Sequence, residues 1–143
     1  MLRVIRNLKT ARLELLRNLG LLVLILLLSS GILVALISPI AHRFLAPDSA
    51  DLLSYVLPAF ALWAIPMGTN AFLSRVMFGL GLDRAFTRTS IAGYIISNAA
   101  RMIAVPFGGV VAAVAAGALV EIFLSIVLLR MTLRHLNRIG AAT

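Results

Sequence analysis

Long uncharged stretches alternate with short charged ones along this chain. Residues 19–41 carry no charge, and neither do residues 52–74. Residues 102–120 are uncharged too, and their apolar pattern runs on past Glu121 to Leu129. A helix rising 1.5 Å per residue needs about 20 apolar residues to cross a ~30 Å hydrocarbon core, and each stretch is long enough. A further stretch, about 86–105, must carry Arg88 and Arg101 near its ends. The Leu, Ile, Val and Ala runs are unbroken and do not alternate over ~10-residue segments, which predicts helices rather than a barrel.

The charged segments give the order of these helices. Arg3, Arg6, Lys9, Arg12 and Arg17 precede the first span. Asp48 and Asp51 face a single Arg43 in the next connection, and the one after holds Arg75, Arg84 and Arg88 against Asp83. Residues 106–109 are uncharged, and the tail carries Arg130, Arg134 and Arg138. Because basic segments stay on the cytoplasmic side, the alternation predicts an all-α membrane protein with both termini inside. Its four transmembrane helices fall at about 19–41, 52–78, 86–105 and 109–131, in a membrane domain of residues 19–136 with a cytoplasmic tail at 137–143.

Residues 1–18 predict a separate element. On a helical wheel Val4, Ile5, Leu8, Ala11, Leu15, Leu16 and Leu19 share one arc. Arg3, Arg6, Asn7, Glu14 and Arg17 take the other, and Arg12 snorkels from the apolar side. This pattern suits an amphipathic helix lying in the cytoplasmic interface against anionic lipid. It equally suits a plain topology anchor. The basic lead and long apolar run are not those of a cleaved signal peptide, so the first span is expected to be retained.

Composition narrows the function. Of 143 residues, 62% are hydrophobic and 13% charged, against roughly 45–50% and about 25% in soluble domains. A soluble domain and a disordered chain are both excluded on that ground. The net charge of +8 would otherwise suggest nucleic acid; here it reads as membrane topology, with membrane lipid as partner and no nucleic acid. The chain has no Cys, hence no thiolate metal site or cysteine nucleophile. His42 and His135 lie far apart, and Asp48 and Asp51 occupy a short polar loop. No catalytic residue, metal site or cofactor is expected, and the chain is not expected to be an enzyme.

Polar residues at membrane depth carry the information that remains, because a charge there is costly. Glu121 continues a four-residue spacing of Gly109, Ala113, Gly117, Glu121 and Ser125, a row of small residues suited to close helix packing. On the preceding helix Ser90, Gly93, Ser97 and Arg101 form a matching face, with Asn98 beside it. The short turn makes the two helices antiparallel, and side chains tilt toward their own N-termini, so Arg101 and Glu121 lean toward each other. They either form a structural ion pair or line a hydrophilic path in which Arg101 meets an anion. Tyr94 is expected level with Glu121, and Arg75 either snorkels to the interface or meets substrate. Pro58 and Pro66, followed by Gly68, Thr69 and Asn70, predict a bent second helix.

Three stretches together carry a resemblance: residues 70–84, which run from Asn70 through Arg75 to Asp83 and Arg84; residues 95–105, with Asn98; and residues 105–121, with Pro106, Gly109, Ala113, Gly117 and Glu121. Over roughly 13–136 the chain resembles the C-terminal part of a polysaccharide flippase of the multidrug/oligosaccharidyl-lipid/polysaccharide superfamily. The resemblance implies transport of a lipid-linked oligosaccharide across the bacterial inner membrane for O-antigen, lipopolysaccharide or other polysaccharide biosynthesis. It also implies a cationic cavity meeting the carrier's diphosphate, to which Arg101 and Arg75 correspond by position. Family members are much longer, with many more helices in two lobes. Partner transmembrane helices are therefore expected, as a missing lobe or as further copies of the chain. The alternatives are a small non-transporting accessory or assembly subunit and a stand-alone oligomeric four-helix transporter.

Overall fold

The computed structural model describes residues 2–142, with side chains for residues 10–139. The chain is all-helical: α1 is Leu2–Phe44, α2 is Pro47–Gly79 and α3 is Asp83–Ala142. All three are long and apolar enough to cross a membrane. Their outer sides present Leu, Ile and Phe, and the most apolar stretch of α1 has no buried residue. Such a surface far exceeds the apolar patches a water-soluble protein leaves open, and it matches hydrocarbon.

Each break has a local cause. Pro47 opens α2, and the preceding Ala46 takes the extended conformation (φ −57°, ψ 145°) that a following proline imposes. Ser49 and Ala50 then donate to the Ala46 carbonyl at 3.0 and 2.9 Å, while Asp48 sits in the first turn, where the helix dipole favours an anion. At the other end of α2, Gly81 adopts φ +70°. Leu82 N–H bonds the Met77 carbonyl at 2.9 Å and Gly81 N–H bonds that of Phe78 at 3.0 Å. This double closure uses a left-handed residue as its hinge. Leu82 then packs on the core of Leu73, Met77 and Leu128.

The helix α3 does not run straight. Its 60 residues would extend ~90 Å at 1.5 Å each, but Gly108 (φ −166°, ψ 24°) and Gly109 (φ +59°, ψ −143°) leave helical geometry. Pro106, two residues earlier, has no N–H to continue the ladder. Beyond the break the chain returns alongside itself. Thr89 reaches Met131, Gly93 faces Leu124, and Arg101 faces Gly117. The stretches expected at 86–105 and 109–131 thus belong to one helical element with two antiparallel arms, residues 83–107 and 110–142.

The central element is α2: it packs against both α1 and α3, which scarcely touch each other. Along the α1–α2 seam, Ser30 donates to the Ala61 carbonyl at 3.2 Å, one residue from the Leu62 carbonyl that Pro66 leaves without its usual N–H donor. Further out, the Ser54 hydroxyl lies 3.3 Å from that of Ser38 and 3.1 Å from His42 Nε2. The helix continues through both Pro58 and Pro66, so neither proline breaks it. Likewise no break separates an N-terminal interfacial helix from the first span, since α1 is continuous from Leu2. Of the expected apolar arc, Leu15 and Leu19 are buried whereas Leu16 is exposed. The side chains of Arg3, Val4, Ile5, Arg6, Asn7, Leu8 and Lys9, and residues 140–143 of the tail, lie outside the described ones.

The positive φ at Gly109 makes a prediction. Gly109→Ala should cost about 1–3 kcal/mol, because the conformation is nearly restricted to glycine. Gly31→Ala, at a helical position with open space around it, should be neutral or slightly stabilising. Thermal unfolding of the purified protein in detergent distinguishes the two.

Candidate functional site

Two polar constellations lie where α2 meets α3. The first joins Asn70 of α2 to Glu121 and Ser125 of the second α3 arm. Asn70 Nδ2 donates to Glu121 Oε2 at 2.6 Å and, more loosely, to the Glu121 carbonyl at 3.4 Å. The Ser125 hydroxyl lies 2.7 Å from Asn70 Oδ1 and 2.9 Å from the Glu121 carbonyl, and can donate to either. Ser125 and Glu121 share a face because four residues separate them, and Asn70 inserts between their side chains. The carboxyl group, costly at this depth without donors, is therefore held by an amide, and by no cation among the described residues.

The second constellation surrounds Arg101 on the first arm. Its guanidinium carbon lies 4.6 Å from the centre of the Trp63 ring, a cation–π contact between α3 and α2. On its other side it presses against Gly117, where even a Cβ would come within 2.9 Å of Nη2. One turn earlier on the same arm, Ser97 is only 2% exposed. Among the described residues three buried side-chain N or O atoms have no hydrogen-bond partner: Trp63 Nε1, Ser97 Oγ and Arg101 Nε. All three belong to this constellation. Buried donors without acceptors are uncommon, and here two lie on one face of the first arm and the third on the ring that meets its guanidinium.

The expected pairing of Arg101 with Glu121 does not form. The register places Arg101 opposite Gly117, one turn short of Glu121. There the Trp63 ring takes the guanidinium, and Asn70 takes the carboxyl. Tyr94 is not level with Glu121 either: its neighbour Gly93 faces Leu124, and Tyr94 itself is 70% exposed. Asn98 points back along its own helix, bonding the Tyr94 carbonyl at 3.0 Å. Arg75 is exposed near the end of α2, away from both constellations.

The residues expected to pack helices also divide. A Cβ on buried Gly93 would lie 3.0 Å from Leu124 Cδ2, and Gly117 is buried beneath Arg101. Ser97 is buried and Ala113 partly so. Gly109 is exposed and forms the chain reversal instead of a helix contact. Sequence reasoning missed Trp63 and the role of Asn70. The signals were present: Trp63 is the chain's single tryptophan, in mid-span, and Asn70 is an amide within an uncharged stretch. Their partners were not legible, because pairing them required the rotation of α2 about its axis. No potential metal-binding group of three or more His, Cys, Asp or Glu occurs among the described residues. No family model, curated protein or solved structure matches the chain.

The choice of partners is testable. A double-mutant cycle between Asn70→Ala and Glu121→Ala should give a coupling of about 0.5–3 kcal/mol, larger than that between Arg101→Ala and Glu121→Ala. The opposite order, read from unfolding in detergent, would assign the carboxyl group to the arginine.

Proposed function

We infer that this chain is the membrane part of a transporter for an anionic, lipid-linked substrate, working as a portion of a flippase for lipid-linked oligosaccharides in a bacterial inner membrane. It crosses four times, with each α3 arm crossing separately and both termini in the cytoplasm. The charge alternation supports that topology, and so does the reversal at Gly108 and Gly109.

One observation carries the transport reading: the unpartnered donors of Trp63, Ser97 and Arg101. A half-buried cation with no carboxylate partner among the described residues, beside further N–H and O–H groups lacking acceptors, is arranged to accept an anion. The Trp63 face holds the guanidinium in place without consuming its hydrogen-bonding capacity. A phosphate oxygen entering here would satisfy groups that the fold itself leaves open. Movement of the first α3 arm against α2 would expose them. Glu121, already bonded by Asn70, serves as a fixed structural group. Partner helices, from a second lobe or from further copies, would enclose the remaining sides.

Arg101→Ala should fold and insert but reduce glycan export about tenfold or more, the value of a charge-assisted hydrogen bond. Arg101→Lys should restore export only in part, since an ammonium lacks the planar, multi-donor geometry. Normal export in cells expressing a stably inserted Arg101→Ala protein would refute the transport role. Separately, reporters fused after Thr143 and inserted at Phe107 should report cytoplasmic and periplasmic positions; the same side for both would refute the four-crossing topology.

A further inference from the structure

The two arms of α3 leave a groove between them that no residue of α2 lines. It encloses about 340 Å³, and its walls are almost wholly apolar, with Gly93 and Ile96 on one arm and Leu119, Phe123 and Leu124 on the other. Absence of a side chain at Gly93 opens the floor, and exposed Leu119 and Phe123 (68% and 67%) form an outer wall. From Thr89 to Ile96 the groove runs ~10 Å along the helix axis, a depth matching one leaflet's outer methylenes and not a globular ligand.

Its mouth is basic. Arg88 lies one turn before Ala92, which lines the groove, and so stands on the same rim. Arg130 lies three residues beyond Val127, another lining residue, on the opposite rim. The contact of Thr89 with Met131 at 3.7 Å ties the arms together where the two arginines emerge, and Arg134 follows Arg130 by one turn. Both Arg88 and Arg130 are exposed, and neither forms an ion pair or hydrogen bond with another described residue. An apolar slot of chain width ending in two unpaired cations has the charge pattern of an amphiphile with an anionic head.

The geometry points to a bound anionic phospholipid, one acyl chain in the groove between the α3 arms and its phosphate between Arg88 and Arg130. This site is distinct from the Arg101 constellation: it opens to lipid, uses other residues and does not depend on transport. A lipid held there would brace the two arms against each other at the end opposite the Gly108–Gly109 reversal.

The test uses the full chain, reconstituted in vesicles of equal phosphatidylglycerol and phosphatidylcholine, then extracted in mild detergent. Retained lipid is identified by native mass spectrometry. The wild type should retain phosphatidylglycerol in clear excess over phosphatidylcholine. Arg88→Gln with Arg130→Gln should reduce that preference roughly thirtyfold, as two surface arginines imply, while Arg88→Lys with Arg130→Lys should keep it. Ala92→Trp, at an exposed rim position, should lower retention of both lipids by blocking the slot without disturbing the core. Retention in the bulk ratio, or an unchanged preference in the double Gln variant, overturns the proposal. Displacement of phosphatidylglycerol by equimolar polyprenyl phosphate would also overturn it, assigning the groove to a different occupant.

Discussion

The reversal at Gly108 and Gly109 is the constraint from which the rest of the arrangement follows. A 60-residue helix left straight would carry Arg101 and Gly117 past each other along one axis, with no contact. Pro106 withdraws a backbone donor, and Gly109 takes a conformation that side chains disfavour. The arms fold back in a register that sets Gly93 against Leu124 and Arg101 against Gly117. Small residues on the facing sides allow the close approach that apolar solvent cannot itself drive. The groove, its basic mouth and the arginine's resting place all inherit their positions from that register.

Within this frame α2 acts as the organising element. It contributes Trp63 to the guanidinium of one arm and Asn70 to the carboxyl group of the other. Two opposite charges that stand a turn apart are thereby held separately. A direct ion pair would have neutralised both. The fold leaves Trp63 Nε1, Ser97 Oγ and Arg101 Nε without hydrogen-bond partners among the described residues, the kind of local conflict that functional sites maintain. On its other face α2 meets α1 through Ser30 and Ser54, and Ser30 reaches the helical ladder beside the gap that Pro66 makes. The helix nonetheless continues through Pro58 and Pro66, as prolines are tolerated in membrane helices.

The exterior tells a complementary story. Leu, Ile and Phe face outward on every helix, most completely on α1, so the protein's solvent on those faces is hydrocarbon. Arginines gather at α3's ends away from the reversal, where snorkelling is short. The hydroxyl of exposed Tyr94 on the first α3 arm has no hydrogen-bond partner among the described residues, and a phenol at that depth is best accommodated where another helix or a headgroup meets it.

Composition and periodicity were enough to establish a helical membrane protein, because burying so much apolar surface in lipid leaves few other solutions. Charge placed the connections only broadly, after residue 41 and after residue 78, while Pro47 and Gly81 fix the breaks at residues 45–46 and 80–82; the uncharged connection at 106–109 coincides with the reversal, since backbone sterics act locally. Continuity of α1 through residue 18 was not legible: an amphipathic arc is compatible with a helix lying flat or extending onward, and periodicity alone does not distinguish them. Nor was the fate of Arg101 and Glu121. Their depths along the axis could be counted from the turn, but the rotation of α2 about its own axis could not, because it depends on packing against two neighbours at once. That rotation decided that an indole and an amide, rather than the two charges themselves, would be the partners.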